Sequence, residues 1–276
     1  MSDPDRVDAA RPSPKLRLVV VEGDDPHAPA GMELLARWRD WIELDRFADL
    51  DALSSTRTGR SDCSDEPPEA DDAFARVDGF VLPDAENAAP GILERLKHAP
   101  GIPRIDWRRL VDESERDHFF EQALGRRRIR LLFHPAWTQA ELVAFNTRER
   151  HRVIAHDPKR HRLIGRLVAK AKDHARADLE REIGELYAGA LARPVTRRKH
   201  ANVLENVMEI LERGASAESR LAMAGAVESY ASGEERLWPV IQLLREEARH
   251  QGLIGLAAQS YLDPEPIERA LRFESP

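Results

Sequence analysis

A carboxylate stands at position 149 where an apolar side chain would be expected. Between Thr138 and Ala155, the residues Leu142, Phe145 and Val153 recur at helical spacing and mark a buried side, and Asn146 and Glu149 fall on that side with them. Desolvating a lone charge is prohibitive, so Glu149 must be paired or kept near water. Arg150, or a residue of another helix, can pair it. One acid among arginines and histidines can also serve as a general base, which makes Arg148, Glu149, His156 and His200 the residues an enzyme reading would use. A satisfied polar contact inside a helical bundle is the simpler reading. Asn146, Glu149, His156 and His200 are therefore polar site candidates, and no catalytic residue is assigned.

Six of the ten histidines (134, 151, 156, 161, 174 and 200) lie in one stretch, which raises metal binding. Separations of five residues do not place two imidazoles on one helical face, and no His-x-x-x-His pair occurs. His200 projects with Val203, Leu204 and Val207, as a core histidine would. The single cysteine, Cys63, excludes an internal disulfide and any cluster held by several thiolates of this chain. There is no Gly-rich phosphate loop, Gly-x-Ser-x-Gly elbow or kinase-type signature. Neither a metal nor a cofactor is expected.

The same stretch is strongly basic. Residues 126–202 hold 19 Lys/Arg against 8 Asp/Glu, residues 1–125 hold 16 against 28, and residues 203–276 hold 7 against 13. The overall −7 thus averages over a polarised chain. On the helix that follows Asp157, Ile164, Leu167, Val168 and Ala171 share one face, while Lys159, Arg162, Arg166 and Lys170 form a stripe well away from it. Solvated faces usually mix signs, because like charges four residues apart repel. The unbroken cationic stripe, with the triplets at 126–128 and 197–199, points to an anionic partner. The candidate nucleic-acid contacts are Arg148, Arg152, Lys159, Arg162, Arg166, Lys170, Arg193, Arg197, Arg198 and Lys199.

These residues need elements to hold them. A hydrophobic content of 42% over 276 residues allows real cores, and 33% charge favours water. The longest aliphatic run, Leu18 to Val21, is far too short to cross a membrane, and the acidic, Pro-containing start is no signal peptide. No membrane partner and a cytoplasmic location are expected. Residues 1–14 read as a disordered lead. Leu16–Val21 is a strand, Met32 to about Leu50 an amphipathic helix, Val77–Leu82 a second strand, Ile92–Leu96 a short helix, and Pro103-Arg104-Ile105 a third strand. Residues 54–72, acidic and containing Pro-Pro, read as a flexible insertion. Ser114 with Asp117 can cap a helix through Phe119, Phe120 and Leu124.

After Pro135 the pattern is helix only. Six helices are predicted: Thr138–Ala155; one from Asp157-Pro158 to about Lys172; one capped by Asp173 and ended by Pro194; one from Thr196 to Gly214; one from Ser216 to about Ala231; and one from Gly233 to Gly252, with the tail SYLDPEPIERALRF as an extended clip or a last turn. The predicted fold is α/β plus all-α: a small parallel α/β domain over 15–130 and a six-helix α-domain over 131–276.

The segments LVAFNTRER, AHDPKRHRLIGRLVA, ALARPVTRRKHANVL and YLDPEP resemble the YbgA-type domain, a bacterial family of unknown function, over roughly residues 137–266. The family pattern Phe-His-x-Arg-His-Lys reads here Phe145-Asn146-Thr147-Arg148-Glu149-Arg150, so both histidines are replaced, at the two buried-side polar positions. That domain often follows a thiouracil-desulfidase-like module, in fusions that resemble enzymes removing sulfur from thiolated tRNA uridines. Val77-Asp78-Gly79-Phe80-Val81-Leu82 looks like that module's Asp-Gly-Phe-Ile-Leu strand, and Arg109-Leu110-Val111-Asp112 with Arg116 and Phe119 looks like its closing helix. The module needs three cysteines for a [4Fe–4S] cluster, one in the loop after that strand. Here the loop, Pro83 to Gly91, has none, and even a register placing Cys63 there supplies a single thiolate.

The resemblance and the charge together imply a non-catalytic accessory protein, a pseudoenzyme that docks tRNA or another nucleic acid in a thio-modification or related pathway. The acidic half would then be a vestigial scaffold or a surface for a catalytic partner protein. Two alternatives stand beside it: an enzyme using the polar residues of the helical domain, and a structural protein whose acidic front half neutralises its own basic face.

Overall fold

The computed structural model describes residues 15–21, 23, 25–47, 76–84, 96 and 101–273. The lead over 1–14, the stretch 54–72 and the helix expected at Ile92–Leu96 lie outside the described residues, save Leu96, which is helical and buried. The chain forms two compact units, residues 1–123 with 269–276, and residues 124–268.

The first unit carries β1 (Leu16–Val21), α1 (Ala28–Ala36), β2 (Ile42–Phe47), β3 (Gly79–Leu82), β4 (Arg104–Asp106) and α2 (Trp107–Val111). Its sheet is entirely parallel with strand order β2-β1-β3-β4. β1 is buried on both faces, as a central parallel strand must be, and its unbroken aliphatic run follows from that. Val19, Val21, Phe80, Leu82, Leu96 and Ile102 form one core.

One expectation fails here. The helix predicted from Met32 to Leu50 stops at Ala36, and Ile42–Phe47 is a strand paired residue for residue with β1. The apolar positions of 41–44 suit either period, since Ile42 and Leu44 also alternate with Glu43. The vacant edge of β1 decides, because it satisfies the backbone of 42–47 and lets Ile42 bury to 4%.

α3 (Glu113–Leu132) runs through the boundary between the units. Its cap is Asp112, whose Oδ1 accepts from Glu115 N at 2.9 Å, not Ser114 as expected. The second unit continues with α4 (Gln139–Arg148), α5 (Arg150–His156), α6 (Pro158–Ala169), a 3-10 turn (Ala171–Asp173), α7 (Arg176–Leu191), α8 (Arg197–Leu211), α9 (Ala217–Ser232), α10 (Leu237–His250) and α11 (Ile254–Ala257), and α12 (Pro266–Arg272) begins in it. The six predicted helices are present, with the first broken in two at Glu149. Thr138, Asp157, Thr196 and Ser216 each accept a backbone N–H of the first turn, and Gly233 closes α9 at φ 96°. Asp173 does not cap α7; Ala175 precedes it without a side-chain cap.

Leu142, Val153, Ile164, Val168, Leu179, Ile183, Tyr187 and Leu191 make one core from α4 to α7, and α8 to α11 enclose a second. Among the described residues no helix is long and apolar enough to cross a membrane. α3 and α7 meet at Gly125, where a Cβ would lie 2.0 Å from Leu191 Cδ1 and 3.4 Å from the Tyr187 ring. Gly125→Val should therefore lower stability by about 2–3 kcal/mol. A urea midpoint equal to the parent's would show that the contact yields freely.

Candidate functional site

Glu149 sits at the junction of α4 and α5, with φ −87° and ψ 0°, and is 1% exposed. Its carboxylate faces into the unit, on the side that helical spacing gives it, and meets two buried arginines. Arg128 Nε and Arg152 Nε each stand 3.4 Å from Glu149 Oε2, and Tyr187 Oη donates to the same oxygen at 2.6 Å. Glu268, fully buried, closes the group: Arg152 Nη1 reaches its Oε1 at 2.7 Å and Arg128 Nη1 its Oε2 at 3.1 Å. Ser260 adds its carbonyl, which accepts from Arg152 Nη2 at 2.7 Å. Beside them Arg127 donates to Glu265 at 2.8 Å, and Arg148 approaches that carboxylate at 3.5 Å.

Two arginines and two glutamates thus form a neutral buried quartet. Burial alone would lower the Arg128 guanidinium, but Glu149, Tyr187 and Glu268 carry it well above its ordinary value, so it stays charged. Burial and the neighbouring Glu149 raise Tyr187 beyond titration, although Arg128 and Arg152 oppose this, so it donates at every ordinary pH. Glu149 Oε1 and Arg128 Nη2 have no hydrogen-bond partner among the described residues.

This corrects part of the basic footprint. Arg152, expected on the surface, is 2% exposed within the quartet, and Arg127 and Arg128 of the 126–128 triplet are buried as well. A helical signal existed: Arg127 and Arg128 continue the spacing of Phe120 and Leu124 along the buried side of α3. Glu265, Glu268, Ser260 and Tyr187 carried no such signal, being up to 140 residues from their partners.

The other polar candidates are engaged separately. Asn146 is half-buried on α4. His156 Nδ1 donates to the Arg193 carbonyl at 2.6 Å, and His200 hydrogen-bonds Tyr261 Oη at 2.9 Å with its ring between Tyr230 and Tyr261. Two turns of α5, roughly 10 Å, separate Glu149 from His156. No general-base pair is assembled from these residues. Among the described residues, no three of His, Cys, Asp and Glu converge where an ion could sit.

The cationic residues fall into two groups. Arg193 pairs with the capping Asp157 at 3.0 Å; Arg197 donates to the carbonyls of Tyr230 and Glu235 and lies 4.7 Å over the Tyr230 ring; Lys199 Nζ donates to the carbonyls of His156 and Pro194. Bonds to carbonyls fix Arg197 and Lys199 but leave their charge. Arg198 is exposed. On α6, Lys159, Arg162 and Arg166, and at its C-terminal cap Lys170, are all exposed, and none forms an ion pair among the described residues. Beside them His161 is held below the usual imidazole value, by burial first and then by Arg150 and Arg162.

His151, buried on α5 against Gln259, is likewise lowered, by burial first and then by Arg150 and His161. A histidine whose folded value lies below the unfolded one destabilises the fold as it protonates. Stability should therefore fall as pH drops through about 6.5, and less so in His151→Gln. Parallel urea midpoints for both proteins between neutral and mildly acid pH check this; identical slopes would remove His151 from the account.

The fold and these contacts define an all-helical module built around a buried arginine–glutamate quartet, with a helix whose outer cations form no ion pair among the described residues. Residues 151–266 match the model of a family described as Protein of unknown function (DUF1722), the YbgA-like family, which supports a YbgA-type domain in this stretch. The matched span includes α6, Arg152, Tyr187, Ser260 and Glu265, whereas Arg128, Glu149 and Glu268 lie outside it. No curated protein and no solved structure matches the chain.

Proposed function

We propose that the protein is a non-catalytic accessory factor whose helical unit docks nucleic acid, in the first place transfer RNA, through the outer face of α6. The observation that carries this reading is the row Lys159, Arg162, Arg166 and Lys170, exposed along one helix without an ion pair among the described residues. An exposed run of like charge repels itself and has no folding rationale, and a phosphate backbone relieves it. Arg198, Arg197 and Lys199 add charge from α8, and Arg148 and Arg193 add it less, each being shared with a carboxylate. Such contacts position a strand and give affinity with little sequence information.

The choice of transfer RNA rests on the resemblance of the first unit to the desulfidase-like module. With Cys63 as the sole cysteine, that unit would serve as a scaffold or as the surface for a catalytic partner protein. The test is binding of labelled transfer RNA across a salt series by the parent protein and by the double variant Arg162→Glu with Arg166→Glu. Curves unchanged by the substitutions would remove the reading, and nucleic acid copurified at low salt and sequenced would name the RNA.

A further inference from the structure

At the C-terminal end of the cationic helix lies a cavity of about 190 Å³, lined by Trp137, Gln139, Ala171, His174, Arg176 and Leu179. Ala171 follows directly on Lys170, so the cavity continues the row of cations. Its walls are of two kinds. Trp137 and Leu179 are buried and give an apolar floor. Over the indole, 4.3 Å from the ring centroid, lies the guanidinium of Arg176, held by Glu180 Oε1 at 3.2 Å and by the carbonyls of His134 and Pro135. Trp137 Nε1 donates to the same glutamate, which locks indole and guanidinium as a stack. The Arg176 side chain nonetheless stays 48% exposed.

Gln139 and His174 stand at the rim with side-chain donors and acceptors that have no protein partner among the described residues. A pinned cationic plane above an indole, bordered by two uncommitted hydrogen-bonding groups, suits a flat, polar-edged ring. The volume is below that of a drug-sized pocket and fits one such ring system. Guanidinium planes stack on unpaired bases in single-stranded recognition, and amide and imidazole groups read base edges.

We propose that this cavity takes one unstacked nucleobase of a strand whose phosphates lie along Lys159, Arg162, Arg166 and Lys170. This rests on the nucleic-acid reading above and deepens it: the ligand is a single-stranded segment, such as a loop or an end, rather than an uninterrupted duplex. Arg176 supplies the stacking plane, and Gln139 and His174 contact the edge.

The experiment compares two labelled probes of equal length and charge, an oligouridylate and its abasic counterpart, by fluorescence anisotropy with the full chain. The base-bearing probe should bind about tenfold tighter. Gln139→Ala with His174→Ala should take it part of the way toward the abasic level, since the Arg176 stack remains, while leaving abasic binding and the salt slope unchanged. Equal binding of the two probes by the parent protein, with both still lost in Arg162→Glu/Arg166→Glu, would overturn the base site and spare the basic face. No effect of the charge reversals on either probe would remove both. A second measurement does not depend on the variants folding: irradiation of a 5-iodouridine probe on the unaltered protein should attach it to the peptide bearing Trp137 or to that bearing His174. Attachment confined to other peptides would also overturn the proposal.

Discussion

Glu268→Ala should lower the stability of the helical unit by about 3–5 kcal/mol. The substitution leaves Arg128 and Arg152, both nearly fully buried, with Glu149 as the remaining carboxylate of the quartet. Charges cannot shed that imbalance by titration, since guanidinium stays protonated. The loss comes from the uncompensated cation and not from the intrinsic strength of the pair, which in a buried setting barely exceeds its desolvation. The double variant Arg152→Met with Glu268→Leu should accordingly recover most of the stability that either single change removes. Urea unfolding followed by the helical far-ultraviolet signal measures both, and the double-mutant cycle gives the coupling. A loss under about 1 kcal/mol for Glu268→Ala would mean that water reaches the quartet. Against a total of roughly 5–15 kcal/mol for an ordinary domain, the expected loss is large.

The second large effect concerns binding alone. On the proposed nucleic-acid reading, Arg162→Glu with Arg166→Glu would replace two attractive phosphate contacts by two repulsive ones in the middle of the α6 row. Affinity for transfer RNA should fall about a hundredfold at moderate salt, and the dependence of log K on log salt should flatten by about one to two. Both side chains are exposed, so the urea midpoint should hold. Arg181→Glu is the matched control. That arginine is equally exposed, on α7, but lies within reach of Asp178, Glu182 and Glu185, so its charge is already shared. Reversing it should leave binding within about twofold. Equal losses at Arg181 and on α6 would mean that net charge, and not the α6 row, governs association.

What could be read from the chain follows the range of the signal. Asp157-Pro158, Thr196, Ser216 and Gly233 announce helix ends because capping involves neighbours within four residues, and all four are where they were expected. The row on α6 was legible for the same reason, since one helix sets its geometry. Three things were not. The break at Glu149 carries no proline or glycine to mark it. The strand at Ile42–Phe47 depends on an open edge of β1, which no local window contains. The quartet joins residues 128, 149, 152 and 268, and basic character alone could not distinguish Arg152 inside it from Arg162 outside. Composition counts charge; only packing says which charges face water.

The quartet also has a bearing on the order in which the chain can be assembled. Arg128, Glu149 and Arg152 lie within one run of helices, but the fourth member arrives more than a hundred residues later in the sequence. Until the segment holding Ser260 and Glu268 returns, two arginines face one carboxylate, and the apolar cluster of α4 to α7 can close only around an excess positive charge. Helices α4 to α7 should thus remain loosely packed while α8 to α11 form, with the final docking of residues 260–268 as the step that commits the unit. Closing so long a loop places a barrier late on the pathway. Slow refolding with early helix content and late burial of Tyr187 would be its kinetic signature.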